Sequence, residues 1–494
     1  MGRTLDLGEG VVAAETTLDP IESARLAQEL PTLAWSLEEI RVAGALERVM
    51  LAGRLARYRV TACRRVHTTL IPGDRCLLRF ELEITDRLSG GSWRHLVSVR
   101  LWPTERAAHG FADGRLRPLL ERTGERVDLE PLAAPIGVVD ELRASFSTFP
   151  LDEEAPRLVE ATDPARIATL LSRALGDGRR GPTISRPRVT RAYPGPGPRW
   201  VITYEAEAMR GAAGLEPVVV FGTVAPGDWA KRAGAAATAL RRRLSRRSPS
   251  GRFAVPEFLG FNSDAGVGLF AAVSGEPLLE RLLAERIEGS ISDPWGLTLE
   301  AGLESASRLL KLLHSCGVRS PRRRRGLDDL VAVRRGLRQT ALFTPGFAER
   351  LDPALQRAER LLATTDPLRP EPAHGDFRPS RLLFDGSRCS IVGLDSFCAA
   401  EPARDLGFFL AHLAVEAFVA AGEDVDGARR RMEEVRRRVV DAYIAASEER
   451  VDARALFERV AAYELLGSLR VALECWQALE SRRLAAAGAI LEQP

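Results

Sequence analysis

The stretch that decides the fold runs from residue 371 to residue 397 and reads EPAHGDFRPSRLLFDGSRCSIVGLDSF. Its apolar residues predict two short strands, 382–384 and 390–394, joined by a turn that contains an Asp-Gly pair. Asp376 precedes this hairpin and Asp395 follows it directly. We therefore expect the two carboxylates to lie close together. Such a pair suits phosphoryl transfer, in which one aspartate orients the attacking hydroxyl and another holds Mg²⁺.

Long amphipathic segments surround this hairpin. From about residue 281 onward, apolar residues recur at i, i+3 and i+4, and the segments are rich in Ala, Leu, Arg and Glu, which favour helices. The predicted helical segments are 297–316, 348–364, 403–421, 425–447 and 453–481. The C-terminal part of the chain is therefore predicted to be a mostly helical unit that contains one small hairpin.

The N-terminal half contains an internal repeat at an offset of 124 residues, which relates 58–160 to 182–284. The turn PGDR at 72–75 aligns with PGPR at 196–199, and in both copies a strand-like run with Glu-x-Glu follows. Pro and Gly favour a tight turn between two strands. We predict two β-rich units of the same design, followed by the helical unit.

These features predict an α+β fold with four segments, in keeping with the length of the chain. An N-terminal segment covers 1–34, and the first β-rich unit covers 35–178. The second β-rich unit covers 179–280, and the helical unit covers 281–494.

The composition restricts the function classes. The 494 residues include 70 Lys+Arg and 67 Asp+Glu, and the small net charge of +3 argues against nucleic acid as the main partner. The six cysteines form no CxxC motif or Cys/His cluster, which is typical of free thiols in a reducing compartment. No apolar run is long enough for a membrane span, and no signal peptide is visible. We expect a cytoplasmic protein.

The hairpin and its flanks resemble the aminoglycoside phosphotransferase and choline kinase-like family, whose catalytic loop has the form His-Gly-Asp-x-x-x-x-Asn. The central match covers 373–380, 382–384 and Leu-Asp-Ser-Phe at 394–397. Flanking matches follow the family's order and lie at 273–278, 310–317 and 401–407. The resemblance covers about 182–480. It implies a protein-kinase-like bilobal fold, with an antiparallel β N-lobe and a mostly helical C-lobe, preceded here by an additional N-lobe-like α+β domain.

The same resemblance implies roles for individual residues. Asp376 would be the catalytic base and Asp395 the ligand of Mg²⁺, with ATP or GTP as the donor and a small-molecule hydroxyl as the acceptor. His374 would brace the loop, and Asp405 would have a structural role at the start of the next helix. The residues expected at the nucleotide are Pro196, Gly197, Arg199, Thr223 and Arg378.

Two positions depart from the family pattern. Arg381 stands where the family has a metal-binding Asn, and an arginine offers only donors and a permanent positive charge. Thr223 stands where the family has the phosphate-binding lysine of the third strand. In the first repeat Val99 aligns with that position and Arg100 is one step further. The chain contains only two lysines, and neither lies on this strand.

Two functions stay open on the sequence alone. In the first, the chain is a phosphotransferase in which Arg381 serves as an additional phosphate-binding group at the catalytic site. In the second, it is a pseudokinase-type binding or regulatory protein, whose N-terminal repeat binds a protein partner and in which Arg381 forms an ion pair with Asp395. A nucleic-acid or anion binder that uses the arginine runs is the least favoured alternative. The acidic stretch 415–434 suits either a cationic acceptor or a solvent-exposed helix face.

Overall fold

The chain folds into two five-stranded antiparallel sheets followed by a helical lobe. The computed structural model describes residues 23–71, 73–123, 126–176, 181–195, 198–209, 214–247, 251–288, 297–447 and 452–492. Over these ranges no helix combines the length and the apolar character that crossing a bilayer requires.

The first sheet consists of β1 (Tyr58–Ile71), β2 (Arg75–Asp86), β3 (Ser92–Leu101), β4 (Ile136–Val139) and β5 (Ala144–Thr148). Its strand order is β1-β2-β3-β5-β4, and all neighbours are antiparallel. The helices of this unit are α1 (Ala24–Glu29), α2 (Leu33–Ser36) and α3 (Glu39–Met50) before the sheet, and α4 (Glu105–Phe111) and α5 (Arg117–Thr123) between β3 and β4. Alternate residues of β3 are buried, as expected for a sheet that covers a core with one face.

The second sheet follows the connecting helices α6 (Leu158–Ala161) and α7 (Pro164–Leu175). The elements of this unit are β6 (Thr183–Pro194), β7 (Trp200–Met209), β8 (Leu215–Val224), α8 (Trp229–Arg247), the short β9 (Phe253–Ala254), β10 (Phe258–Asn262) and β11 (Val267–Ala271), and all of its strands except β9 belong to the second sheet. Read from the opposite edge, the strand order is β6-β7-β8-β11-β10, which corresponds strand by strand to β1-β2-β3-β5-β4 of the first sheet. In both sheets helical structure connects the third strand to the fourth strand along the chain. The predicted duplication is therefore confirmed at the level of topology.

The strand register corrects one detail of the repeat. Arg100 is paired with Leu77 in the first unit, whereas Thr223 is paired with Val201 in the second, and Val201 aligns with Leu77. Arg100, and not Val99, is thus the structural counterpart of Thr223. The ungapped alignment was off by one at this point because the hairpin between the paired residues is one residue shorter in the second unit.

The helical lobe contains α9 (Leu279–Glu288), α10 (Leu299–His314), α11 (Gly326–Ala341), α12 (Pro345–Thr364), α13 (Pro402–Ala421), α14 (Val425–Ala445), α15 (Ala453–Ala478) and α16 (Ser481–Leu491). Its short strands are β12 (Glu371–Ala373), β13 (Leu382–Phe384), β14 (Cys389–Ile391) and β15 (Cys398–Ala400). β13 and β14 form the predicted hairpin, β12 pairs with β15, and β14 also pairs in parallel with β9. The predicted α+β bilobal fold with an additional N-lobe-like unit is confirmed.

Buried contacts join the first unit to the second sheet. The indole N–H of Trp200 donates to the carboxylate of Asp152 at 3.0 Å, and the hydroxyl of Tyr204 donates to the carbonyl oxygen of Ala161 at 2.9 Å. Trp200 and Tyr204 are both buried. The second sheet is thus joined to the first unit, and its residues Val201, Phe221 and Thr223 line a cavity together with Arg378 and Arg381 of the loop after Asp376.

Candidate functional site

The loop between β12 and β13 is held by the N-terminus of α13. Gly375 has a φ of +79°, and a Cβ there would lie 2.2 Å from the backbone oxygen of Ser396, so a side chain does not fit. The backbone N–H groups of His374 and Gly375 donate to the carboxylate of Asp405 at 2.7 and 3.0 Å. Asp405 is fully buried in the first turn of α13, where the helix dipole favours a carboxylate.

The imidazole of His374 is fully buried and connects the loop to the hairpin. Its Nε2 donates to the carbonyl oxygen of Val392 at 3.0 Å, and its Nδ1 accepts the backbone N–H of Asp376 at 3.2 Å. Burial lowers the pKa of His374, so the ring is neutral near pH 7. Because both ring nitrogens form hydrogen bonds with the backbone, the imidazole fixes the loop against the hairpin, as expected for a structural role.

A buried ion pair below the loop was missed from the sequence. Arg404 donates to the carboxylate of Asp329 at 2.6 and 3.0 Å, and to the carbonyl oxygen of Gly375 at 3.0 Å. Arg324 adds a bond to Asp329 at 2.9 Å. The one available signal was Arg404 itself, because an arginine stands out in the apolar sequence of α13.

Three arginines surround Asp376. Arg378 donates to Oδ1 at 2.5 and 3.0 Å, and Arg381 donates to Oδ2 at 3.3 Å. Arg470 of α15, which the sequence did not predict at the site, lies 3.9 Å from Oδ1. Burial opposes ionisation of Asp376, but the charges of Arg378 and Arg381 outweigh it and hold the pKa well below the usual range. The carboxylate is therefore ionised, and both of its oxygens accept guanidinium N–H groups.

Asp395 is bound by an arginine from the other lobe. Arg199, which directly precedes β7, forms an ion pair through Nη1 with Oδ2 of Asp395, and the two side chains are 9% and 11% exposed. Burial and then the charge of Arg381 lower the pKa of Arg199 to about 10, so it stays protonated at neutral pH. The expected Arg381–Asp395 pair was wrong. Arg381 crosses closely over Gly393, where a Cβ would lie 3.0 Å from its Cδ, and reaches Asp376 instead.

The cleft between the second sheet and the helical lobe contains a cavity of about 440 Å³. Its charged lining residues are Arg199, Arg378, Arg381 and Asp395. Its apolar lining residues include Val201, Phe221, Phe270, Leu383 and Val392. One end of the cavity is therefore cationic, and much of the rest is apolar and partly aromatic.

The structure brings three of the five expected nucleotide contacts to this cavity. Arg199, Thr223 and Arg378 line it, whereas Pro196 and Gly197 lie outside the described residues. The two lysines pack elsewhere: one places Nζ 4.8 Å from the ring centre of Phe261, and the other 5.3 Å from that of Tyr443. Neither lysine is among the described lining residues of the cavity.

The residues at Asp395 do not fit Mg²⁺ in this arrangement. Mg²⁺ requires oxygen ligands in near-octahedral geometry. The carboxylate of Asp395 holds Arg199, and Arg381 has no acceptor atom to offer in place of the missing Asn. In the part of the chain that the structure describes, no group of three or more His, Cys, Asp or Glu side chains could hold a metal ion.

The acidic stretch 415–434 runs from the end of α13 into α14, and none of its residues is among the described lining residues of this cavity. Its acids are exposed except Glu416, which pairs with Arg483. Asp424 caps α14 by accepting the backbone N–H of Gly427 at 2.9 Å. Asp426 and Glu433 each form an ion pair with an arginine three residues further along the same helix. These contacts favour the solvent-exposed helix face over a cationic acceptor pocket.

Comparisons with known proteins agree with the sequence motifs. A model of the phosphotransferase enzyme family matches residues 218–453, a range that includes Asp376 and Asp395. The comparison with curated proteins returned no match. Similar solved structures include choline kinase from Cryptosporidium parvum Iowa II, with 10% identity, coverage of 67% of this chain and 93% of that chain, and a TM-score of 0.43. A choline/ethanolamine kinase family protein from Mesorhizobium loti shows 17% identity, coverage of 59% and 85%, and a TM-score of 0.36.

A third similar structure is the macrolide 2'-phosphotransferase MphH from Brachybacterium faecium, with 21% identity, coverage of 59% and 89%, and a TM-score of 0.33. The family match and the ordered motifs around His374 and Asp395 agree on the same segment of the chain. Residues 218–453 are therefore similar to the phosphotransferase enzyme family, and an additional N-lobe-like unit precedes that segment.

Proposed function

We propose that this chain is a pseudokinase-type binding protein, which keeps the fold and the cleft of a small-molecule phosphotransferase without its phosphoryl-transfer chemistry. One observation carries the proposal: both carboxylates that the chemistry would use are bound by arginines of the chain itself. Asp376 holds Arg378 and Arg381, and Asp395 holds Arg199.

Asp376 is poorly suited to act as a base in this arrangement. A general base needs a free lone pair within hydrogen-bond reach of the hydroxyl and a pKa near the working pH. Both carboxylate oxygens of Asp376 accept guanidinium N–H groups, and its pKa is lowered because the charges of the arginines outweigh its burial. An arginine does not give up its proton at physiological pH, so the paired arginines keep the carboxylate a weak base in this arrangement.

Strand β8 also lacks the charge that would hold donor phosphates. Thr223 lines the cavity at the position of the family's lysine, and α8 contributes only Ala233 and Ala237 to the same cavity. A threonine can donate one neutral hydrogen bond, whereas the family's lysine supplies a full positive charge. The cavity therefore depends on its arginines for every charged contact to an anion.

The direct test is turnover. ADP or GDP release would be measured with Mg·ATP and Mg·GTP against a panel of amino sugars and amino alcohols, with Asp376→Asn as the background control. We expect no release above that of Asp376→Asn. Release that depends on an acceptor and disappears in Asp376→Asn would refute the proposal.

A repaired variant makes a negative result informative. Arg381→Asn combined with Thr223→Lys restores the two family residues that this chain lacks, and we expect it to gain Mg²⁺-dependent nucleotide binding that the natural chain does not show. If Mg²⁺ tightens ATP binding by the natural chain as much as it does by the repaired variant, Arg381 and Thr223 are not the obstacle, and the argument from these two positions fails.

A second candidate is an ATP- or GTP-dependent phosphotransferase that acts on a hydroxyl of a small molecule, with Asp376 as the base and Asp395 as the Mg²⁺ ligand. It is favoured by a second cavity of about 460 Å³, which includes Arg470 and Glu474 in its lining. These two residues also contact the Asp376–Arg378 pair, each at 3.9 Å. An acceptor bound there would lie beside Asp376. For this function the ion pair at Asp395 would have to open, and the turnover assay decides between the two candidates.

Partners and location stay predictions. A protein partner that binds through residues 35–178, the exclusion of nucleic acid as the main partner and a cytoplasmic location follow from the sequence alone. All six cysteines are free thiols in the structure, which agrees with the sequence reading of their chemical state.

A further inference from the structure

The cavity wall carries more positive than negative charge. Of its charged lining residues, Arg199, Arg378 and Arg381 are cations, and Asp395 is the single anion among the described lining residues. Asp376 also binds Arg378 and Arg381, so the three arginines exceed the two carboxylates by one. Charges of one sign in a partly enclosed, low-dielectric cleft concentrate their field and attract counter-ions. The ligand class that this wall favours is therefore anionic, although the family's cleft ordinarily needs a metal ion at this place.

The arginines also have hydrogen-bonding capacity to spare. Each guanidinium has five N–H donors in a planar fork. Arg381 uses one of them on Asp376, and its Nε is buried with no hydrogen-bond partner. Arg199 is described with a single ion pair, to Asp395. A buried donor without a partner is costly, and an anion with several oxygens would satisfy these groups together.

The first unit contains corresponding arginines that are paired with carboxylates of the same unit. Arg75 is the counterpart of Arg199, and Arg100 is the counterpart of Thr223. Both arginines bind the carboxylate of Glu154, and Arg100 also binds that of Glu153. The arginine at the start of β2 or directly before β7, Arg75 or Arg199, thus binds a carboxylate in both copies, and in the second copy that carboxylate, Asp395, lines the cavity.

We propose that this cavity binds the polyphosphate group of a nucleoside di- or triphosphate without a divalent cation, and that Arg199, Arg378 and Arg381 hold the phosphates in place of Mg²⁺ and lysine. The inference rests on the proposed function, because it assigns the ligand of the same cleft. Phosphate oxygens replace the carboxylate of Asp395 on Arg199, and no bond is made or broken covalently. Arginine suits this exchange, since its fork binds phosphate in bidentate fashion.

The apolar end of the cavity would bind the nucleoside part of the ligand. Phe221, Phe270, Val201 and Leu383 provide an apolar, partly aromatic wall. A flat, weakly hydrated ring loses little on entering such a wall, and aromatic side chains favour stacked or edge contacts with it. A ligand with an aromatic ring at one end and several negative charges at the other matches both ends of the cavity.

The experiment is calorimetric titration of the full chain with ATP, once in excess EDTA and once with millimolar Mg²⁺, and with tripolyphosphate and adenosine as the two halves of the ligand. We expect ATP to bind in EDTA at least as tightly as with Mg²⁺, because Mg²⁺ neutralises charges that the arginines would otherwise meet. Tripolyphosphate should bind measurably and adenosine more weakly than ATP.

Three variants assign the binding to the named residues. Arg199→Gln should weaken ATP binding about tenfold or more, the factor expected for losing a charge-assisted hydrogen bond. Asp395→Asn should tighten it several-fold, because the competing carboxylate is gone, and a misfolded variant could not produce such a gain. Arg186→Gln is the matched control on β6, since Arg186 is 83% exposed, and it should stay within twofold of the natural chain.

The outcomes separate this inference from the proposed function. Binding only in the presence of Mg²⁺, or binding that Arg199→Gln leaves unchanged, overturns the inference. The absence of binding to ATP and tripolyphosphate at millimolar concentration also overturns it, while the proposed lack of turnover would stand. Acceptor-dependent turnover with Mg·ATP that Asp376→Asn abolishes overturns the proposed function and, with it, the inference.

Discussion

The substitution Arg404→Met tests the ion pair that supports the catalytic loop. Arg404 is 0% exposed and makes two bonds to Asp329 and one to the carbonyl oxygen of Gly375. Methionine fills most of the space of the arginine stem but makes none of these bonds. The carbonyl next to Asp376 loses its donor, and a buried carboxylate loses its main partner.

The magnitude follows from what remains after the change. Removing one partner of a buried ion pair costs about 3–5 kcal/mol, because the other charge is left without compensation. Here Arg324 keeps a bond to Asp329 at 2.9 Å, so the lower end of that range applies. We expect Arg404→Met to reduce the free energy of unfolding of the helical lobe by about 3 kcal/mol.

The assay should report on the helical lobe alone, because a chain with several units need not unfold in a single transition. Native-state hydrogen exchange of the amides of α13 gives the opening free energy of that part of the molecule. Arg334→Met is the matched control, since Arg334 is 43% exposed and pairs with Glu359 on the surface. Exposed pairs of this kind contribute about 0–1 kcal/mol.

Two results would refute this reasoning. The first is a loss of stability in Arg404→Met no greater than that in Arg334→Met. The second concerns the double variant Arg404→Met with Asp329→Leu, which removes both charges and should be less destabilised than the sum of the single changes. Strict additivity would show that the two side chains do not interact.

Three further changes test other parts of the structure. Gly407→Ala should destabilise the helical lobe by about 1–3 kcal/mol in urea unfolding, because its Cβ would lie 2.5 Å from a backbone nitrogen of α15, whereas Gly110→Ala, with open space around it, should be neutral or stabilising. Burial lowers the pKa of His412 to about 4 from an unfolded value near 6.5. Between these two pH values the unfolded chain binds more protons than the folded chain, so the free energy of unfolding falls as the pH drops from 6.5 to 4. His412→Gln should reduce this dependence of the free energy of unfolding on pH. Trp200→Phe keeps one aromatic ring but removes the N–H that donates to Asp152 together with part of a buried ring system. It should lower the thermal midpoint by an amount equivalent to at least about 1–2 kcal/mol, whereas no change would show that this contact does not hold the units together.

The helices and sheets were accessible from the sequence because their patterns are local. The predicted segment 403–421 corresponds to α13 at Pro402–Ala421, and 425–447 corresponds to α14 at Val425–Ala445. The duplication was visible because its turns and strands recur at one spacing. The sequence pattern alone matched Thr223 to Val99 instead of Arg100. The hairpin that ends at Thr223 is one residue shorter than the hairpin that ends at Arg100, and this difference changes which residues are paired without disturbing the apolar alternation of either strand.

The buried polar network was not accessible in the same way. Arg404 and Asp329 are 75 residues apart, and Arg470 lies 94 residues beyond Asp376. No spacing rule connects such positions, because their contact depends on how α11, α13 and α15 pack. The sequence contained hints in the form of charges on apolar helices, but it did not say which charge each one meets.

The sequence by itself determined which chemical groups the site can contain: two carboxylates around the hairpin, an arginine in place of the metal-binding Asn, and no lysine on β8. The tertiary structure decided which groups meet. Arg381 was expected on Asp395 but binds Asp376, and Arg199 comes from the other lobe to bind Asp395. The physical reason is that an ion pair depends on distance and direction in space, which are set here by the position of Arg199 directly before β7 and by the close passage of Arg381 over Gly393, and not by the order of residues along the chain.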